Sequence, residues 1–261
     1  MTQKLTELSA LAADFEQHLP PLQLPEGHPD DRPIAAWIDH TLLKPEATPD
    51  QIDQLCAEAR LAGFASVCVN PVHISQARRQ LEGSPVLACA VIGFPLGATL
   101  IQAKVEETRL AIEAGAQEID MVLQVGLLRA GHYEAVAADI QRVVETAHPH
   151  GAKVKVILEM VLLNRFEKIM GCLLSQMVGA DFVKTSTGFN TGGATLEDVD
   201  LMRRVVGPVT GVKAAGGVRT LADARAFLRA GATRLGSSSG VKIVQEAAGA
   251  PLSAASSRSD Y

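Results

Sequence analysis

Two lysines carry the most chemically suggestive pattern in the chain. Lys184 and Lys213 each end a short apolar run and each precede a glycine-rich segment, in "DFVKTSTGFNTGG" and "TGVKAAGGVRT". They lie 29 residues apart (213 − 184), the length of one strand–helix unit. Side chains at the ends of neighbouring parallel strands come within reach of each other, because such strands run about 4.8 Å apart. Each ammonium then disfavours the other's charge, and partial burial acts in the same direction. An amine placed this way is available in its neutral form and attacks a carbonyl to make a Schiff base. A single lysine at such a place more often snorkels to solvent or pairs with an acid. Two on consecutive strands, each backed by a glycine-rich loop, favour chemistry.

Asp120 interrupts the apolar run "EIDMVLQV". A lone buried carboxylate is costly unless paired, so its expected partner is Lys184 or Lys213, whether the pair is catalytic or structural. Lys155 and Glu159 share one face of the strand "KVKVILEM", and with Glu118 they read as structural partners of one another. Asp39 and His40 end the first apolar run. The last two loops, "AAGGVRT" and "LGSSSG", suit an anion. Glycine lets a backbone approach a phosphate closely, and Ser238 and Ser239 stand where a helix N-terminus favours negative charge. Gly188 adds a further possible donor. Cys68 borders the same region, although a small buried hydrophobe is the simpler reading for it. The histidines show no metal-ligand spacing, and no metal or other cofactor is expected.

Eight short β-rich runs position these groups: "AAWID", "ASVCVN", "VLACAVIGF", "EIDMVLQV", "KVKVILEM", "DFVKT", "TGVKAA" and "TRLGS". Amphipathic stretches separate them, among them Pro49 to Leu61, Ile101 to Ala114, Tyr133 to Ala147, Leu163 to Val178, Leu196 to Val206 and Leu221 to Ala230. Thr48, Thr195 and Thr220 read as helix caps. Gly63, Gly115, Gly179 and Gly231 recur in "LAGFASV", "EAGAQEI", "MVGADFV" and "RAGATRL", each where a helix must stop before a strand. Eight such units predict an α/β fold, a (β/α)8 TIM barrel, with its chemistry at the C-terminal strand ends. An open doubly wound sheet usually carries a G-x-G-x-x-G turn after its first strand. The segment "HTLLKPEAT" has no glycine at that point.

The expected organisation is an N-terminal helix and linker over residues 1–33, the barrel over 34–248 and a flexible tail over 249–261. Leu5, Leu8, Leu11 and Phe15 line one helical face, read as packing on the outside of the barrel. A net charge of −5 without basic blocks argues against nucleic acid as a partner. No apolar run is long enough to span a bilayer, and the N-terminus does not read as a secretory signal. Four scattered cysteines, none in a C-x-x-C pair, fit a reducing cytoplasm.

Taken in order, "DHTLLKPEAT", "VCVNP", "VIGFPLG", "EIDMV", "DFVKTSTGF", "GVKAAGGVRT" and "GSSSGVKIV" closely resemble the deoxyribose-phosphate aldolases, from about Trp37 to Val244. The resemblance implies a metal-independent class I aldolase on a (β/α)8 barrel. Its substrates would be a small phosphorylated sugar and aldehydes: 2-deoxy-D-ribose 5-phosphate is cleaved reversibly into acetaldehyde and D-glyceraldehyde 3-phosphate. It gives Lys184 the Schiff-base role, Lys213 the role of the second lysine and Asp120 an acid/base role. It places Gly216, Gly217, Gly236, Ser238 and Ser239 at the phosphate, and Thr185 beside Lys184. It also implies a homodimer or homotetramer.

The sequence departs from the family pattern at several points. Met160 stands where a threonine is expected, and the following helix lacks the usual polar start. That helix, "KIMGCLLSQMVGA", is unusually apolar for a barrel surface. Phe189 replaces a lysine found in one branch. The tail "APLSAASSRSDY" reads as a mobile end, while its final Tyr261 is a candidate to fold over the site and help move a proton. Two other readings share the phosphate loops: an isomerase-type barrel that needs no imine, and a non-catalytic phosphometabolite-binding barrel.

Overall fold

The lysines stand inside a closed ring of eight parallel strands. In the computed structural model, which describes residues 2–22, 24 and 32–249, these strands are β1 (Ile38–Leu42), β2 (Ser66–Val69), β3 (Leu87–Ile92), β4 (Glu118–Val122), β5 (Lys153–Ile157), β6 (Phe182–Lys184), β7 (Gly211–Ala215) and β8 (Arg234–Ser237). Each pairs with the next, and β8 returns to β1. The helices are α1 (Thr2–His18), α2 (Pro49–Ala62), α3 (Ile74–Gln80), α4 (Ile101–Glu113), α5 (Val125–Arg129), α6 (Tyr133–Ala147), α7 (Arg165–Met177), α8 (Leu196–Val206), α9 (Leu221–Arg229) and α10 (Gly240–Ala247).

Local chemistry accounts for most of the element boundaries. The side chain of Thr195 accepts from Asp198 N at 3.0 Å, and that of Thr220 from Asp223 N at 3.1 Å. These bonds satisfy amides that the first turn leaves unpaired. At the other end of α2, Gly63 takes a left-handed conformation, φ 69°, and stops the helix. The first strand begins later than "AAWID" suggests. Pro33, with φ fixed at −53°, starts a single 3-10 turn over Ile34–Trp37, so pairing begins only at Ile38.

Strand alternation sorts the side chains into two layers. Val67, Val154, Val156, Val183, Val212 and Leu235 are fully buried in the apolar core beneath the helices. The opposite parity points into the lumen. There Asp39, Ser66, Glu118, Asp120, Lys155, Lys184 and Lys213 are all buried. A barrel interior is more often filled by branched aliphatic residues; here charge fills it.

The apolar character of α7 has a packing explanation. Helix α1 lies against α7 and α6. Its Ala12 is completely buried, while Leu5, Leu8 and Phe15 pack on the core beside it. Residues Ile169 to Ser175 of α7 are buried as a continuous run. Helix α7 is thus covered on both sides, which a two-layer barrel surface would not require. It also has a polar start, contrary to the expectation from its sequence. Asn164 caps it, accepting from Glu167 N at 2.9 Å, and the Glu167 side chain accepts in turn from Asn164 N at 2.8 Å. Met160 fills the core just before it.

Candidate active site

The register of β6 on β7 sets Lys184 directly opposite Lys213. Both ammonium groups donate to the same carboxylate oxygen, Asp120 Oδ2, at 2.8 Å each. Asp120 therefore meets both of its expected partners at once. Its other oxygen, Oδ1, accepts from Lys155 Nζ at 2.8 Å and from the Cys89 thiol at 3.1 Å.

This centre extends downward as a chain of ions. Lys155 also reaches Glu118 at 2.7 Å. Lys213 reaches Asp39 Oδ2 at 2.5 Å. Arg234 bridges Asp39 at 2.7 Å and Glu118 at 3.0 Å. Ser66 donates to Asp39 at 2.7 Å. Beneath them the Phe182 ring fills the space left by Gly211, where any side chain would collide with it.

Burial and charge compete at every member of this network. Burial alone would push the Asp120 carboxyl up, but Lys155, Lys184 and Lys213 outweigh it and hold Asp120 well below the usual carboxylate range. Burial likewise opposes the charge on Lys213; the Asp120 and Asp39 carboxylates reverse the effect and keep it charged, above the ordinary lysine value. The same balance raises Lys155 and lowers Asp39.

Lys155, expected to be structural, is thus bonded to the central carboxylate. Its partnership with Glu118 holds, but Glu159 is elsewhere. The chain turns at Glu159 with φ 55°, and its carboxylate accepts from the Thr187 amide and hydroxyl instead. Asp39, Lys155, Arg234 and Cys89 were not assigned to the site from sequence. Cross-strand register ties the first three to the site, Lys155 opposite Asp120, Arg234 opposite Lys213 and Asp39 opposite Gly236. Cys89 is marked only by its pairing opposite Cys68.

Cys68 is fully buried, 4.0 Å from Asp120 Oδ2. Burial pushes the Cys89 thiol well up, whereas interaction with Cys89 lowers that of Cys68. Cys68, Cys89 and Asp120 bring three donor atoms within 4.8 Å of one another. This is the one group of metal-ligating type among the described residues, and three ammonium groups already crowd its carboxylate.

Above the strand ends lies a cavity of about 270 Å³. Gly188, Gly216, Gly217, Gly236 and Ser238 line it, together with the segment Asn190–Ala194 and Arg219. Gly236 presses on the Lys213 stem, where a Cβ would stand 3.2 Å from Cε. At Gly193 a Cβ would sit 2.4 Å from the Gly216 carbonyl oxygen, so two loops close on each other with no room for a side chain. Ser239 does not line the cavity. It precedes α10, with its amide donating to Ser237 Oγ at 3.0 Å. Thr185 ties the ends of β6 and β7: its hydroxyl donates to Ala215 O and accepts from Ala215 N, both at 3.0 Å. Phe189 packs edge-on against Phe94, 5.2 Å between centroids. Tyr261 and the tail lie outside the described residues.

Comparison with known proteins bears on this arrangement. A family model described as DeoC/LacD family aldolase matches residues 34–246. A deoxyribose-phosphate aldolase of Streptococcus gordonii is 58% identical over 210 residues, 80% of this chain and 94% of that protein. One from Thermococcus gammatolerans is 56% identical over 216 residues, 82% and 96% of the two chains. Among solved structures, the deoxyribose phosphate aldolase of Aeropyrum pernix, described as having a unique tetrameric structure, superposes with a TM-score of 0.78 at 38% identity. The match covers 82% of this chain and 91% of that one.

Proposed function

This chain belongs to the DeoC/LacD aldolase family, and we propose that it is a deoxyribose-phosphate aldolase whose imine forms on Lys184. The observation that carries the reading is the sharing of Asp120 Oδ2 by two lysines beside a glycine-lined cavity. One ammonium, Lys213, is held charged by two carboxylates. The other, Lys184, has Asp120 as its sole ion-pair partner among the described residues.

Lys184 Nζ, as the free amine, adds to the C1 aldehyde of 2-deoxy-D-ribose 5-phosphate, and loss of water gives a protonated imine. That cation is the electron sink. A base takes the proton of the C3 hydroxyl while the C2–C3 bond breaks, its electron pair flowing toward the iminium nitrogen. A two-carbon enamine stays on the lysine, and D-glyceraldehyde 3-phosphate leaves. Protonation of the enamine at C2 and hydrolysis release acetaldehyde and return the amine. Asp120 and Lys213 touch Lys184's nitrogen environment and are suited to relay protons there. The loops bearing Gly188, Gly216, Gly217, Gly236 and Ser238 supply an anion-binding backbone for the phosphate, whereas the Ser239 amide is taken by Ser237 Oγ. Cys68 lies 4.0 Å from Asp120 Oδ2, the oxygen that Lys184 shares, and Thr185 fixes the end of the strand that carries Lys184.

The tetrameric relative supports a homo-oligomer, a homodimer or homotetramer, for this chain as well. Four buried thiols without disulfides fit a cytoplasmic setting. Among the described residues, no helix is long and apolar enough to cross a membrane.

Sodium borohydride added during turnover tests the reading. Reduction of the imine should add a stable alkyl group to the Lys184 peptide, detected by mass spectrometry, and Lys184→Ala should abolish both labelling and cleavage. Turnover without labelling would favour an isomerase. Phosphosugar binding without turnover would leave a binding barrel.

A further inference from the structure

We infer that His40 and Glu58 form a positioning pair that fixes the first turn of α10, and through it the backbone that grips the substrate phosphate. The inference rests on the phosphosugar reading. His40 belongs to β1, but its parity carries it out of the lumen and into the layer beneath the helices. It is 1% exposed. Its Nε2 lies 2.7 Å from Glu58 Oε2 on α2. A carboxylate only accepts, so Nε2 carries the proton and Nδ1 faces the other way.

On that other side stands Gly240, the first residue of α10. A Cβ there would come 2.9 Å from His40 Nδ1, 2.9 Å from Phe64 Cζ and 3.3 Å from Ile38 Cγ2. The imidazole is itself held against Phe64, 4.8 Å between ring centroids and tilted by 42°. Helix α10 therefore rests its bare backbone on a platform of three side chains, and the ring at the centre of that platform is clamped by Glu58. His40 Nδ1 has no hydrogen-bond partner among the described residues.

The same ring stands level with the phosphate loop. His40 pairs in register with Ser237. The Ser237 hydroxyl donates to Val218 O at 2.6 Å and accepts from Ser239 N at 3.0 Å, joining the β7 and β8 loops. Ser238, Ser239 and Gly240 follow at once. Ser237 and Ser238 line the cavity immediately before α10, so where that helix rests sets where their backbone points, and a misplacement of about 1 Å can cost about a hundredfold in rate. His40 does not touch the reacting atoms. Its effect is exerted through the placement of α10.

A merely structural buried histidine would lower activity toward every substrate alike. A phosphate-positioning one must change the preference for phosphate. The test compares kcat/KM for 2-deoxyribose 5-phosphate and for unphosphorylated 2-deoxyribose, together with inhibition by inorganic phosphate, in the full-length wild type, His40→Ala, His40→Gln, Glu58→Gln and Gly240→Ala. The ratio of the two kcat/KM values should fall about tenfold in His40→Ala, and inorganic phosphate should inhibit correspondingly less. His40→Gln, which keeps a donor for Glu58, should fall between His40→Ala and wild type. Gly240→Ala pushes the helix off an intact ring and should show the same signature, so it carries the test if His40→Ala does not fold. A ratio within twofold of wild type in Gly240→Ala and in the folded His40 variants overturns the inference alone. A wild type with no preference for the phosphorylated substrate and no inhibition by phosphate overturns the functional reading as well.

Discussion

Lys184 and Lys213 stand opposite each other across the β6–β7 ladder and are joined through one atom, Asp120 Oδ2. The repulsion between the two cations is thus exerted across a shared anion rather than by direct contact. The count of charges in the hydrogen-bonded network matters more than either pair alone. Lys155, Lys184, Lys213 and Arg234 face Asp39, Glu118 and Asp120, four cations against three anions. Net charge in a buried site is costly. Lys184 has a single ion-pair partner in this cluster, whereas Lys155, Lys213 and Arg234 each have two or more.

Lys213→Leu removes one cation and makes the network three against three. The pH dependence of kcat/KM should change, because Asp120 Oδ2 then faces one ammonium where it had faced two. Turnover of 2-deoxyribose 5-phosphate should drop by about 10²–10⁴, the range for loss of a positioned proton-transfer group. A pH–rate profile that superimposes on the wild type's would sink the idea of coupling between the two lysines.

Asp120 accepts from three lysines, and removing it should cost stability as well as chemistry. Asp120→Leu leaves three ammonium groups in the lumen facing an apolar side chain, with a loss of about 3–5 kcal/mol. Asp120→Asn keeps an acceptor of the same shape and should unfold at a urea midpoint between those of wild type and the leucine variant. Both should be nearly inactive. Equal midpoints for wild type and Asp120→Leu would mean that the network does not hold the barrel together.

The parts of this site that could be read from sequence are those with a local signature. Lys184 and Lys213 each mark a strand end with a glycine loop behind it. Asp120 breaks an apolar run, and Thr195 and Thr220 precede their helices as caps must. Asp39, Lys155 and Arg234 escaped because their roles depend on which strands become neighbours and on which level each side chain reaches in the lumen. The strand order decides that, and no single segment records it. The error over Glu159 has the same origin in a finer form. Parity along β5 would have put it with Lys155, but the left-handed turn at Glu159 re-aims its carboxylate toward Thr187. The apolar surface of α7 was legible as an anomaly. Its cause was not, because the covering helix α1 lies more than a hundred residues away in the chain.

Stability should depend on pH at both ends of the range, in opposite senses. Asp39 and Asp120 titrate below their ordinary value of 3.8 in the folded protein. Their contribution is complete above 3.8 and is lost as pH falls from there toward the folded values. Lys155 and Lys213 titrate above their ordinary value of 10.5. Their contribution is complete below 10.5 and is lost as pH rises through the folded values. Urea midpoints should therefore be level from about pH 5 to about pH 9 as far as these groups decide it. They should fall on either side, and Lys213→Met should show a shallower alkaline fall than wild type. An alkaline limb identical in the two proteins would remove Lys213 from the account.

Helix α1 is expected to act on the fold and not on the chemistry. Ala12 is completely buried where α1 meets the rest of the barrel, and the helices it packs against are α6 and α7. Helix α7 buries Ile169 to Ser175 and leads from the end of β5, which carries Lys155, to β6, which carries Lys184. Ala12→Asp places a carboxylate in an apolar seam with no partner designed for it and should destabilise by about 3 kcal/mol. The variant should expose apolar surface and bind a hydrophobic dye at temperatures where wild type does not. Its kcat/KM at 25 °C, corrected for the folded fraction, should stay within about twofold of wild type, since a surface helix packed far from the reacting atoms contributes stability that is additive with the site. A large fall in kcat/KM without a change in the melting temperature would show instead that α1 reaches the lysines through α7, and that the N-terminal helix belongs to the catalytic apparatus.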